Sequence, residues 1–160
     1  MLVFPAHMHK ILELDPKSGV VAVQPGASFG KLQQTLHTHG RFVPVFPHSA
    51  EYSSVGGSVA NNCSGERSGK YGSAREFVRG LRIVLCNGEL IETGRINKRE
   101  LNKKLGLSTL EGEIYRNIDA LIEENSDIIK NLPPLPKIHS AGYGIDRVKK
   151  KRTAALTCHH

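Results

Sequence analysis

Residues 46–72 read FPHSAEYSSVGGSVANNCSGERSGKYG. Five Gly and six Ser fall among them, so the stretch has too little apolar side chain to fold by burial of its own. Gly56 and Gly57 remove Cβ from two consecutive positions, which lets backbone approach a neighbour closely or turn through positive φ. Ser53, Ser54, Ser58 and Ser64 add hydroxyls, and exposed backbone N–H groups in such a loop can cradle phosphate oxygens. Asn61 and Asn62 offer amide donors and acceptors together, which suits the edge of a heteroaromatic ring better than a simple anion. Three other motifs fail. In GERSGKYG, Gly65 stands one residue too close to Gly69-Lys70 for a P-loop, and Tyr71 follows where Ser or Thr is needed. Within residues 46–72, G-x-G-x-x-G and G-x-S-x-G are absent. On spacing alone, a turn-rich structural loop and a nucleotide-binding loop are equal readings.

Upstream, HKILELD and VVAVQPG flank a turn at Pro16, Ser18 and Gly19 and predict a hairpin. ASFGKLQQTLHTHG then places Phe29, Leu32 and Leu36 at helical spacing, with Ser28 as N-cap and Gly40 as stop. Downstream, VRGLRIVLCNGELIETG predicts two strands around Asn87-Gly88, a dipeptide suited to a two-residue turn with positive φ at both positions. Asn97 and Glu100 form a capping-box pattern for a short helix stopping near Gly106. A longer helix is predicted over about 108–131, with Ile114, Ile118, Leu121 and Ile122 as its apolar stripe, and PPLP ends it. Hairpins rather than βαβ crossovers predict an α+β fold, mainly antiparallel sheet with flanking helices.

At 160 residues, the chain has the size of one domain with a core. Three scattered Cys argue against a disulfide framework and for a reducing compartment. No transmembrane run or signal peptide is read. The net charge of +7 comes largely from RINKRELNKK and RVKKKR, read as a solvated helix face and a basic tail. No aromatic residue interleaves with these charges, so no nucleic-acid partner is expected. His48 and the two H-x-H pairs (His7/His9 and His37/His39) are read as surface side chains, with no metal expected. Cys63 is read as a small buried thiol.

Order along the chain separates the two readings of the loop. From residue 11 to 94, a strand leads to QPG and a helix; PHS, SVGG, NNCSG and KYG follow, and then the VLCNG hairpin. This ordered set resembles the FAD-binding domain of the vanillyl-alcohol-oxidase superfamily, the PCMH-type fold. Residues 108–148, including EGEIYRNIDALIEE and SAGYGID, resemble the helical insertion and loop of large FAD-linked oxidases. Those proteins join the flavin domain to an iron–sulfur module and act on D-2-hydroxy acids such as D-lactate or D-2-hydroxyglutarate.

The resemblance implies the second subdomain of the PCMH-type fold, with FAD as cofactor and hydride transfer from a D-2-hydroxy acid to the flavin. It maps flavin contacts onto Pro47, Ser49, Ser54, Val55, Gly56, Gly57, Ala60, Asn61, Asn62, Ser64, Gly65, Tyr71 and Gly72, with Val78 packing near the ring. It assigns no catalytic residue. The family's Gly-rich pyrophosphate loop and its G-S-x-G-T-L-G strand and cap have no counterpart here. The chain therefore resembles a truncated fragment: a partial FAD-binding domain over 1–148, with a helical insertion at 108–131 and a basic tail at 149–160 expected to be disordered. The alternative is a non-catalytic or split-gene product that binds FAD only with a second polypeptide supplying the missing subdomain, cap and iron–sulfur module. A cytoplasmic location follows, peripheral to the membrane only through such a partner.

Overall fold

The computed structural model describes residues 4–133, 143–145 and 148. They divide into two compact units: 4–83 with 92–95, and 84–91 with 96–133 and the short C-terminal pieces. The elements, in order, are α1 (Phe4–His7), β1 (Ile11–Asp15), β2 (Val20–Val23), α2 (Phe29–His37), α3 (Val55–Ala60), α4 (Ser68–Tyr71), a 3-10 turn (Ala74–Glu76), β3 (Gly80–Val84), β4 (Leu90–Gly94), α5 (Lys98–Leu105), α6 (Leu110–Glu124) and α7 (Ser126–Lys130). The strands form two separate two-stranded sheets, β1-β2 and β3-β4, and the fold is the expected mixture of helices with antiparallel sheet.

In the first unit, β1 and β2 pair with Leu14 opposite Val21 and Asp15 opposite Val20, with a bulge between Ile11 and Glu13. The turn forms where Pro16, Ser18 and Gly19 predict it. Asp15 organises it, accepting from Lys17 N at 2.8 Å and Ser18 Oγ at 2.5 Å, while Gly19 sits at φ +69°. The Ser18 hydroxyl and Lys17 amide hold the Asp15 carboxyl below its ordinary range. Ser28 caps α2 by accepting from Lys31 N, and the helix buries Phe29, Leu32 and Leu36. Gln33 clamps the following segment, donating to Val43 O at 2.7 Å and accepting from Val43 N at 3.0 Å. Two residues on, Val45 is fully buried. With Ala27 and Ala74 these side chains are the buried apolar core of the unit among the described residues.

The second unit is held differently. The predicted capping box is present at Asn97 and Glu100, opening α5. Thr109 caps α6. The corner between α5 and α6 is fixed by Arg116, whose Nη1 donates to Leu105 O at 2.8 Å and to Leu107 O at 2.6 Å. A largely buried ion pair joins Lys104 to Glu111. Gly112 permits the close approach, since a Cβ there would stand 2.2 Å from Leu107 O.

Three local expectations need correction. The Asn87-Gly88 hairpin is not a two-residue turn, because only Gly88 has positive φ (+84°). Gly88 N bonds Leu85 O and Leu85 N bonds Glu89 O, the pattern of a tight turn completed by a left-handed glycine. The helix expected over 108–131 is interrupted at Asn125, whose backbone leaves helical geometry (φ −105°, ψ 18°) and whose Nδ2 donates to Leu121 O. Of its expected apolar stripe only Ile122 is buried, whereas Ile118 and Leu121 are exposed. The tail from 149 lies outside the described residues, as does most of KIHSAGYGIDRV.

Candidate functional site

The small-residue stretch is pinned to the segment that opens α2. Phe29 N donates to Ser53 O at 2.9 Å and Val55 N to Ala27 O at 2.8 Å, a single antiparallel bridge between Ser28 and Ser54. Gly30 N to Ala50 O and Gly56 N to Pro25 O extend the contact on either side. QPGASFG and SSVGG, separated by 22 residues in sequence, are therefore one structural piece. Ser54 Oγ then accepts from Gly57 N and starts α3. A sequence of two glycines and two β-branched valines, with a single Ala at its end, becomes helical because its first turn is capped and bonded to a neighbour.

Gly56 and Gly57 have different surroundings. A Cβ on Gly56 would stand 2.6 Å from Pro25 Cβ and 2.9 Å from Pro25 O, so its bare side is taken up by the chain itself and not by open space. On Gly57 it would meet only Ser54 Oγ, at 3.0 Å, and the residue is exposed. Gly65 resembles Gly56, since its missing Cβ would lie 2.0 Å from Phe46 O.

Beyond α3, Asn62 reverses the chain at φ +47°, the one non-glycine residue with positive φ among those described. Its Oδ1 accepts from Arg75 N at 3.1 Å, and Cys63 O accepts from Ala74 N at 2.9 Å. The 3-10 turn thereby docks on the end of α3. The Asn62 carboxamide oxygen is committed to backbone, and its Nδ2 has no partner among the described residues. Asn61 Nδ2 is likewise committed, to Gly57 O, and the residue is exposed. Ser68 is fully buried and its Oγ accepts from Gly65 N. Gly72, at φ +84°, ends α4. The adjacent Ser73 is 2% exposed, and its hydroxyl has no hydrogen-bond partner among the described residues.

All the residues that the motifs single out lie in the first unit. Ser49, Gly57, Ala60, Asn61 and Ser64 are exposed. Pro47, Ser54, Val55, Gly56, Asn62, Gly65, Tyr71 and Val78 are half-buried, and Gly72 is buried. The Ser49 and Ser53 hydroxyls bond each other at 2.7 Å. Tyr52 passes unremarked in the motif pattern, yet its ring is 90% exposed beside these serines. Arg67 is another surface residue that the motifs do not mark, and it lies over the Phe42 ring at 5.4 Å. His48 makes a 3.5 Å contact with Glu66, with both side chains open to solvent. Cys63 is half-buried, and burial pushes its thiol up against a weaker opposing bond from Ser58. A thiol with that shift is not an activated nucleophile. Among the described residues no group of three or more His, Cys, Asp or Glu converges on a common point, and no helix is long and apolar enough to cross a membrane.

Comparison with known proteins bears on what this constellation is for. A family model described as FAD binding domain matches residues 1–94. The glycolate oxidase subunit GlcD of Bacillus subtilis is 40% identical over 88 residues, 55% of this chain and 19% of that protein. D-2-hydroxyglutarate dehydrogenase of Haemophilus influenzae is 33% identical over 146 residues, 89% of this chain and 14% of its own length. An FAD-linked oxidoreductase of Mycobacterium tuberculosis is 42% identical over 155 residues, 87% of this chain and 34% of its own length. Among solved structures, alkyldihydroxyacetonephosphate synthase superposes with a TM-score of 0.50 at 31% identity, over 59% of this chain and 17% of that one. The chain thus spans between about a seventh and a third of the curated relatives it matches. The ordered motifs from residue 11 to 94 fall inside the matched family region, so the chain belongs to the FAD binding domain family, with FAD as its cofactor and the PCMH-type fold as its architecture.

Proposed function

We propose that this chain is the FAD-binding portion of a flavoprotein that oxidises a D-2-hydroxy acid of the 2-hydroxyglutarate or lactate type. The observation that carries the reading is the extent of one match. D-2-hydroxyglutarate dehydrogenase of H. influenzae aligns over 89% of the chain, well past residue 94 where the FAD binding model ends. The GlcD match covers 55%. Residues 1–94 are then the cofactor portion and the helical segment at 108–131 is an addition shared with the dehydrogenase.

The donor set suits FAD. Gly57 offers an open backbone face, while Ser49, Asn61 and Ser64 are outward polar groups carrying no net charge. Ser73 provides a buried hydroxyl with an unused bond. In this reading Ser49, Ser54, Asn61, Asn62 and Ser64 orient the cofactor by hydrogen bonds. Pro47, Val55, Ala60, Gly65, Tyr71, Gly72 and Val78 shape the surface against it, and Gly56 acts one step back by seating α3 on Pro25. Bound FAD supplies the two-electron acceptor for the oxidation. No residue of this chain is assigned the proton abstraction, which in this reading falls to a complementing polypeptide carrying the substrate portion. Reconstitution with FAD, followed by reduction under anaerobic conditions with D-2-hydroxyglutarate, D-lactate or glycolate, tests the reading. Bleaching of the flavin band by one of the first two, in the presence of the complementing polypeptide, is expected. Bleaching by glycolate alone would move the substrate class.

A further inference from the structure

None of the residues mapped to the flavin carries a charge. FAD does: its diphosphate is doubly negative, and neutral donors can bond that group without offsetting its charge. The segment 61–78, which supplies the last of the mapped positions, contains three cations, Arg67, Lys70 and Arg75. Arg75 faces an acid of the chain itself, with its Nε 4.0 Å from the Glu76 carboxylate. Arg67 and Lys70 differ. Both are exposed, and neither has a carboxylate within ion-pair distance among the described residues. Glu66, the acid beside Arg67 in sequence, contacts His48 at 3.5 Å instead.

The two cations are also positioned. Lys70 N donates to Arg67 O at 3.1 Å, so the side chains leave neighbouring positions of one helical turn at α4. Each is seated on a ring. Arg67 lies 5.4 Å from the centroid of Phe42, and Lys70 Nζ lies 5.1 Å from that of Tyr71. A cation held in this way keeps N–H groups for an anion and loses less side-chain freedom on binding one. In sequence the pair is flanked by Ser64 and Gly65 on one side and by Tyr71 and Gly72 on the other, all mapped to the cofactor. We infer that Arg67 and Lys70 contact the FAD diphosphate and offset its charge. The inference rests on the reading that this surface receives FAD, and adds which part of the cofactor meets α4.

The test compares ligands that separate the ring from the phosphates. FAD, riboflavin and inorganic pyrophosphate are each titrated into the full chain, alone and with the complementing polypeptide. The same titrations are made on Arg67→Gln/Lys70→Gln and on Lys17→Gln/Lys31→Gln, which removes equal charge from exposed sites elsewhere in the first unit. Flavin fluorescence follows the first two ligands and calorimetry the third. The variant at 67 and 70 is expected to bind FAD and pyrophosphate at least about fivefold more weakly, as two solvent-screened charge contacts should, and riboflavin as wild type does. The difference should fade at about 1 M salt. The variant at 17 and 31 should match wild type with all three ligands. Each variant should keep its Tm within a few degrees, since all four positions are exposed. FAD binding unchanged in the variant at 67 and 70, or riboflavin weakened as much as FAD, overturns the charge assignment and leaves the FAD surface standing. No FAD binding by the wild-type chain under either condition overturns both.

Discussion

Ser28 and Ser54 face each other across one antiparallel bridge, and each is the N-cap of a helix. The first turns of α2 and α3 are thereby tied at a common origin. The small-residue stretch has its place in the fold through this bridge and the backbone bonds around it, since its own side chains bury little. Replacing either serine by alanine removes a cap worth about 1 kcal/mol. In a chain of 160 residues that lowers Tm by roughly 2–4 °C. Thermal unfolding of Ser28→Ala and Ser54→Ala measures it, and a loss seen only for Ser28 would mean that α3 does not need its cap.

The glycines of the small-residue stretch should part company on substitution. Gly56→Ala drives a Cβ into Pro25 and is expected to destabilise by about 1–3 kcal/mol. Gly65→Ala, facing the Phe46 carbonyl at 2.0 Å, is expected to be worse. Gly69→Ala, with nothing within 4 Å, should leave Tm within a few degrees of wild type. Denaturant titration of the three variants ranks them.

Asn62 combines a left-handed backbone with a bond to Arg75 N. Asn62→Gly keeps the turn and loses the bond, at a cost of about 1 kcal/mol. Asn62→Val loses the bond and strains the turn, so it should cost more. Equal stabilities for the two variants, measured by urea unfolding, would show that the backbone conformation at this position does not matter.

Two titrating groups give opposite pH signatures. The Asp15 carboxyl is held below 3.8 in the folded chain, so the stability it lends is present above 3.8 and is lost as pH falls through the lower folded value. Asp15→Asn should flatten that acid limb. The Cys63 thiol is raised above 9.0 by burial, so the fold favours the neutral thiol, and the stability present below 9.0 is lost as pH climbs through the higher folded value. At pH 8 Cys63 should therefore react with iodoacetamide more slowly than the exposed Cys86, as peptide mass mapping would show.

Much of this architecture was legible from local chemistry. Ser28, the Asn97/Glu100 box and Gly19 each satisfy or bend the backbone within a few residues, so their roles can be read from the sequence. What stayed hidden depends on distant partners. Nothing near Gly56 announces that Pro25 will fill its open side, and a VGGSVA helix contradicts its own propensity until Ser54 and the bridge are in place. Asn125 looks like one polar position in a helical run, but its side chain competes for the Leu121 carbonyl and interrupts the helix. The apolar period over 114–122 marks a face without saying whether this chain supplies what covers it.

The central claim is that the surface around Gly57, Asn61 and Ser64 receives FAD, and it is most directly tested by titrating FAD into the chain and its Gly57→Leu variant. Flavin fluorescence and Tm are followed together, alone and with the complementing polypeptide. Gly57 is exposed and an added Cβ meets only the Ser54 cap hydroxyl, at 3.0 Å, so the variant should keep a Tm no lower than that of Ser54→Ala while binding FAD at least about tenfold more weakly, a loss of roughly 1.4 kcal/mol. Saturable quenching equal in wild type and variant, or none in either under both conditions, would contradict the account.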